Sequence, residues 1–289
     1  MRLKSFSDNK IKSITIFIQT YNHEKYIGDC IKSINSQITK HKIQLIIFDD
    51  ASTDNTEQKI KEFNQKNIKY IKNKKNLFST VKGNYLLFLL KKYKVKINTD
   101  YWSIIEGDDF YINKFKIEKQ VNFLESHKNY AGCSSNFKTL VGDKYENHFS
   151  NLKNYDYNFL LSNLEKLNFY SHLSTWVWRK KTFENNQILP ECLRYKNHKG
   201  DVMMNFQLIR LSKSKIYNFN DFFSVYRVHN KGYWNRLSDE EKKQKNDNLY
   251  KTLNKYKKNE LKKRYSIKLL LTYIYKVKHK IINMIKYEN

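Results

Sequence analysis

Proline is almost missing from this chain: one residue in 289, with seven glycines and three cysteines. A single proline excludes a proline-rich linker protein, and so few glycines exclude collagen-like sequence. The cysteines, at positions 30, 133 and 192, form no C-x-x-C pair and leave an odd count, which argues against a disulfide framework and for a reducing, cytoplasmic setting. Met1 to Asp8 hold no apolar run of the signal-peptide kind, so no leader is expected. No stretch approaches the roughly 18 uncharged apolar residues of a membrane-spanning helix. Acids are scarce too: 28 Asp plus Glu face 55 Lys plus Arg, a formal net charge of +27. What the chain does have is 40% apolar residues, with 22 Tyr and 18 Phe, enough for a sizeable core and too many for a disordered basic tail. The length suits one large domain, or one domain with an appendage.

The charge has four readings: nucleic acid, an anionic membrane surface, a polyanionic small substrate, or the residue bias of a very AT-rich coding sequence. Its distribution is uneven. Residues 235–289 carry 16 Lys plus Arg against 6 Asp plus Glu, a net of +10. Within them Ile267, Leu270, Ile274, Val277, Ile281 and Ile285 share one helical face, surrounded by Lys268, Lys276, Lys278, Lys280 and Lys286. Such a basic amphipathic helix over 267–286 suits an anionic leaflet; it equally suits docking on the rest of the chain with solvated lysines.

Hydrophobic periodicity gives a regular start. Ser13–Ile18 reads as a buried strand ending in polar Gln19-Thr20-Tyr21-Asn22, and Ile27, Cys30, Ile31, Ile34 and Ile38 mark a helix over about 24–38. A second strand, Ile43–Phe48, ends in Asp49-Asp50. Asp54 to Glu57 has the shape of a capping box before a helix with Ile60 and Phe63. Ile68–Ile71 is a third strand, Phe78–Tyr93 a helix, and Tyr101–Ile105 a fourth strand that ends in Glu106-Gly107-Asp108-Asp109; Ile117, Val121 and Leu124 stripe the next helix. Four strand–helix alternations with short connections predict a mostly parallel sheet flanked by helices, with ligands at the carboxyl ends of the strands. After residue 130 the rhythm breaks. Segments 130–150 and 170–178 read as short strands or irregular chain, Val202–Leu211 as a helix, Ile216–Phe219 as a strand, Tyr226–His229 as a loop, and the chain from 238 onward as helical.

Both acid clusters fall at predicted strand ends. Three carboxylates within Glu106–Asp109 create a field that a hard divalent cation, Mg²⁺ or Mn²⁺, satisfies through oxygen ligands, with a diphosphate as natural co-ligand. The bland alternative is a turn whose Asp109 caps the next helix. Asp49-Asp50 could accept from a ribose or from a base N–H, and an imide N–H would favour uracil; alternatively Ser52, Thr53 and Asp54 only start a helix. Trp176, Trp178 and Trp234 are candidates for stacking on a sugar or for packing in the core.

Four segments carry a resemblance. Ser13–Asn22 (SITIFIQTYN), residues 46–56 (IIFDDASTDNT), residues 102–111 (WSIIEGDDFY) and residues 225–234 (VYRVHNKGYW) resemble, in order, the motifs of inverting family 2 glycosyltransferases with a GT-A fold. The likeness spans roughly residues 13–235. It implies a GT-A fold with a nucleotide-sugar-binding half over 1–130, an acceptor-binding and catalytic half over 131–236, and a basic helical extension over 237–289. It further implies that Thr20, Tyr21 and Asn22 line the nucleotide pocket and that Asp50 accepts from the base. Asp108, with Glu106, would hold Mn²⁺ or Mg²⁺, His229 would contact metal or diphosphate, Arg227 would meet diphosphate charge, and Asp201 would be the general base. Four positions depart from the pattern: Gln19 replaces the usual Pro, Ala51 a Gly, Glu106 an Asp, and Gly200 the first acid of a Glu-Asp pair.

The activity so implied moves a hexose or N-acetylhexosamine from a nucleoside-diphosphate donor, uracil-based by preference, to a hydroxyl of a glycan or lipid-linked acceptor of a bacterial surface glycan. It would act in the cytoplasm or at the inner face of the membrane. Two other functions fit the residues less well. A nucleic-acid binder conflicts with acids at the ligand edge, which repel phosphates unless metal intervenes, so nucleic acid is not the expected partner. A membrane-associated interaction protein without activity has only Gly200 in its favour.

Overall fold

In a computed structural model, residues 10–78, 80–81, 85–149, 154–162, 172–184, 200–259 and 262 are described. The first half follows the expected alternation: β1 (Ser13–Thr20), α1 (Ile27–Asn35), β2 (Lys42–Asp49), α2 (Thr56–Lys61), β3 (Ile68–Lys72), α3 (Tyr85–Lys92), β4 (Tyr101–Glu106), β5 (Phe110–Tyr111) and α4 (Lys116–Ser126). Then come β6 (Tyr130–Val141), β7 (Lys144–His148), β8 (Asn154–Tyr155), α5 (Tyr157–Ser162), a 3₁₀ turn (Leu173–Thr175), β9 (Val177–Arg179), α6 (Lys181–Glu184), α7 (Gly200–Ser212) and β10 (Lys215–Val228). All ten strands join one sheet in the order β3-β2-β1-β4-β9-β6-β10-β5, with β7 on β6 and β8 on β10. Pairs β1–β2, β2–β3, β1–β4 and β6–β10 are parallel, so the sheet continues without a break through residue 130.

Strand alternation builds two cores. Ile14, Ile16 and Ile18 of β1 face α1 and α4 together with Leu45, Ile47, Tyr101 and Ile105. Phe17, Ile46, Phe48, Trp102 and Ile104 face the other way, against α3 and α7. Both faces are therefore apolar, as a sheet covered on two sides requires. Trp176 and Trp178 stack at 4.8 Å in the second core and are fully buried, which removes them from sugar stacking.

Three expectations change. Helix α1 begins at Ile27 because the amide N–H groups of His23 and Glu24 donate to Thr56 Oγ1 and Asp54 Oδ2 instead of entering a helix. Asp54 also accepts from the Thr56 amide, so one carboxylate serves both the helix start and the neighbouring loop. Strand β10 runs to Val228, where a loop was expected from 226; register shifts near Phe219 and Phe222 hide its true length from a period-two reading. Within segment 130–150, β6 and β7 form one long hairpin over Tyr130–His148 turning at Gly142, whose φ of 58° suits glycine.

Residues 239–259 are helical. A capping box opens that helix: the Glu241 amide donates to Ser238 Oγ, and the Ser238 amide to Glu241 Oε2. Leu249 and Leu253 are fully buried in the α3–α7 core, each contributing about 1.5–3 kcal/mol, so this part of the extension is docked on the domain. The amphipathic segment 267–286 lies outside the described residues. No described helix is long and apolar enough to cross a membrane.

Candidate active site

The carboxyl ends of β1, β2 and β4 lie side by side, and β10 closes the edge beyond them. Thr20 ends β1, buried, its Oγ1 without a hydrogen-bond partner. Tyr21 is half-buried. Asn22 takes a left-handed φ of 56°, and its Oδ1 accepts from the Thr53 amide at 2.8 Å while its own amide donates to Ser52 Oγ. Ala51, where the family pattern has glycine, adopts φ 65° and so carries about 1 kcal/mol of backbone strain.

The acids after β2 are internally satisfied. Asp49 accepts from the Ser52 amide at 2.7 Å and from Tyr70 Oη at 2.6 Å. Asp50 accepts from Asn73 Nδ2 at 2.7 Å, the Leu77 amide at 2.8 Å and the Phe78 amide at 2.9 Å. Asp50 thus fixes the stretch entering α3. That explains why the apolar pattern from Phe78 does not begin as helix.

The turn after β4 differs. Gly107 is packed so closely that a Cβ there would lie 2.8 Å from Thr20 Oγ1, 3.0 Å from His23 Nδ1 and 3.0 Å from Ile27 Cδ1. Asp108 is buried, and its Oδ2 lies 2.9 Å from His229 Nε2 and 3.6 Å from His23 Nε2. Asp109 is fully buried; its Oδ1 accepts from the Arg227 amide at 2.9 Å. Asp108 Oδ1 and Asp109 Oδ2 have no hydrogen-bond partner, and neither do Nδ1 of His23 and of His229. Burial, reinforced by the charges of Asp108 and Glu106, pushes the Asp109 carboxyl well above the usual range. Burial pushes Asp108 the same way, but the His229 bond and the two nearby imidazoles outweigh it and hold Asp108 low. Burial lowers His23, against the pull of Asp108.

The end of β10 clamps this turn. Arg227 Nε donates to the Asp108 carbonyl at 2.9 Å, and Nη2 reaches Asp29 Oδ2 at 3.2 Å. Its guanidinium sits between the rings of Tyr26 and Phe110, 4.9 Å from each centroid. Held on four sides, Arg227 is a strut for the acid turn.

From the other side comes His172, at the start of the 3₁₀ turn, with Nδ1 3.7 Å from Asp109 Oδ2. Ligand atoms of Glu106, Asp109 and His172 all lie within 4.8 Å of one another. Two buried carboxylate oxygens lacking a donor, next to a further carboxylate, are what a hard divalent cation satisfies, so the residues present fit the implied metal. Asp201 is the second residue of α7; its side chain lies outside the described residues. Sequence reading missed His23, Asn73 and the roles of Asp109 and His172. The only signal was position: His23 follows Thr20-Tyr21-Asn22, and His172 lies in the 170–178 segment that read as short strands or irregular chain.

A mostly parallel sheet thus carries acids, three histidines and unpartnered polar atoms at its carboxyl edge. The family model for glycosyl transferase family 2 matches residues 15–186, more than half of the chain, and the chain belongs to that family. An uncharacterised glycosyltransferase of Haemophilus influenzae is 29% identical over 184 residues, covering 61% of this chain and 54% of that protein. EpsE of Bacillus subtilis is 34% identical over 140 residues, 47% of this chain and 46% of its own length. The chain thus spans about half the length of these relatives, and less of others, such as 35% of an uncharacterised Mycobacterium bovis protein. Residues 1–349 of S. aureus TarS, in complex with UDP-GlcNAc, superpose with a TM-score of 0.60 at 18% identity, over 78% of this chain and 61% of that one. The fold is GT-A.

Proposed function

We propose that this glycosyltransferase moves a sugar from a uridine-diphosphate donor to a hydroxyl of a glycan or lipid-linked acceptor of a bacterial surface glycan, by single displacement with inversion. The observation that carries the reading is the pair of buried, unpartnered oxygens, Asp108 Oδ1 and Asp109 Oδ2, at the sheet edge where a nucleotide diphosphate would lie. The UDP-GlcNAc held by the similar TarS fold supports the choice of donor.

Thr20, Tyr21 and Asn22 line the nucleoside side. Asp50, taken up by three protein N–H groups, shapes the base side of that pocket. Mn²⁺ or Mg²⁺ bound at the acid turn would supply positive charge against the departing diphosphate. Arg227 and His229 keep the acids of that turn in place. Asp201, at the N-terminal end of α7 where a negative charge is favoured, takes the proton of the attacking hydroxyl. Segment 267–286 would hold the enzyme at the inner membrane face.

Thermal unfolding tests the reading. UDP with Mn²⁺ should raise Tm by several degrees, Asp108→Ala should abolish the shift, and Asp201→Asn should keep it while losing transfer. A protein unmoved by every nucleoside diphosphate tried would not be this enzyme.

A further inference from the structure

We propose that the loop after the edge strand β5, together with the loop after α1, forms a membrane-contact face for an anionic lipid leaflet, separate from segment 267–286. The inference stands apart from the proposed chemistry and names a surface of the domain itself.

Ile38, Ile112 and Phe115 are 54%, 38% and 47% exposed, on two loops that hydrogen bonds join. The Ile38 amide donates to the Lys114 carbonyl at 2.8 Å, Gln37 Nε2 to the Asn113 carbonyl at 2.9 Å, and the Ile117 amide to Gln37 Oε1 at 3.1 Å. The loops are thus fixed with three apolar side chains in water, a cost that burial against a partner relieves. Lys40 and Lys114 are exposed on the same loops. The acids nearby are engaged: Glu118 accepts from Thr39 Oγ1 at 2.7 Å and from the Lys40 amide at 3.2 Å, and Asp221 pairs with Lys119 at 2.8 Å. The same mixture continues on β10. The Ile112 amide donates to the Phe223 carbonyl at 3.0 Å, and the adjacent Phe222 meets the exposed Phe149 at 5.1 Å, with the Lys138 ammonium 5.5 Å from the Phe222 ring.

This composition selects the partner. Cores of protein interfaces are depleted in lysine. Single-stranded nucleic acid needs stacking faces, which two isoleucines do not provide. A leaflet takes both parts: isoleucine and phenylalanine enter the boundary between headgroups and acyl chains, and lysines meet anionic headgroups. Ile112 follows Asp109 by three residues, at most about 11 Å of extended chain, so a leaflet on this face runs beside the acid turn. A lipid-linked acceptor would then reach the turn without leaving the surface.

The test uses the full chain with vesicles of equal parts phosphatidylcholine and phosphatidylglycerol, plain or with brominated acyl chains. Phe115→Trp sets a reporter on the face; brominated lipid is expected to quench its emission beyond any loss in the wild type, and vesicles of phosphatidylcholine alone to do so far less. In co-sedimentation Phe115→Asp is expected to raise the lipid concentration for half-binding about tenfold. Vesicle binding that leaves the added tryptophan unquenched, as attachment through 267–286 alone would give, overturns the proposal. So do unchanged binding of Phe115→Asp, equal binding to both lipid mixtures, no binding at all, or a wild-type dimer that Phe115→Asp dissociates, which assigns the face to a second copy. Should Phe115→Asp not keep the wild-type Tm, Ile38→Asp, at a more exposed position, takes its place. The assay holds no nucleotide, so its failure leaves the UDP response and the transferase reading standing, and a missing UDP response leaves this face standing.

Discussion

Asp49-Asp50 ends β2 and Glu106–Asp109 follows β4, two strands apart in one sheet. On paper they are the same object, adjacent acids where a strand leaves the core. In the fold, the first pair is consumed by five donors from Ser52, Tyr70, Asn73, Leu77 and Phe78, while the second retains two buried oxygens with none. A buried carboxylate with full hydrogen bonding organises its surroundings; one left short of donors is unfavourable until something positive arrives. The contrast separates an acid that builds a pocket from an acid that awaits its contents.

Substitution can break this contrast. Asp50→Ala strands the Leu77 and Phe78 amides and the Asn73 side chain, and should cost about 3–5 kcal/mol in urea unfolding, with or without metal. A loss below about 1 kcal/mol would mean that the pair after β2 is as unfinished as the other.

Lys116 extends the comparison to a buried cation. It is fully buried, faces the Tyr111 ring at 4.5 Å, donates to Gln120 Oε1 at 2.7 Å, and burial brings its pKa down to about 7. In the folded chain it is neutral above about pH 7, whereas the unfolded chain keeps the proton up to its ordinary value near 10.5. The penalty is therefore complete below pH 7, and stability rises with pH through that window. Lys116→Met should stabilise by about 2–3 kcal/mol at pH 6.5, with the gain fading towards pH 10. Equal gains at both ends of the range would show that the charge is not the cause.

The smallest effect sharpens the comparison most. Asp109→Asn removes a negative charge beside Asp108 and Glu106, so metal-free protein should become about 1 kcal/mol more stable while losing its Tm response to Mn²⁺. Destabilisation of the metal-free protein would instead make Asp109 a structural acid like Asp50.

How much of this was legible follows from where each partner sits. Strands β1 to β4 were readable because their apolar periods are local, and both acid clusters were placed by the strand ends they follow. The difference between the clusters was not. The donors to Asp50 come from residues 73, 77 and 78, the clamp on Asp108 and Asp109 from residues 227 and 229, and the approach of His172 from a turn more than sixty positions away. Arg227 read as a free cation for diphosphate because sequence does not show Tyr26, Phe110 and Asp29 closing around it. Residues 239–259 read as part of a basic appendage because lysines outnumber the two leucines that dock it.

Gly107 has a bearing on how such an enzyme can change. Since a single added methyl would meet Thr20, His23 and Ile27 together, positions 20, 23, 27 and 107 form one mutational unit. A new residue at 107 becomes accessible only after its neighbours have shrunk. A library aimed at donor choice should therefore vary these four positions jointly, because scanning them one at a time would report each as intolerant.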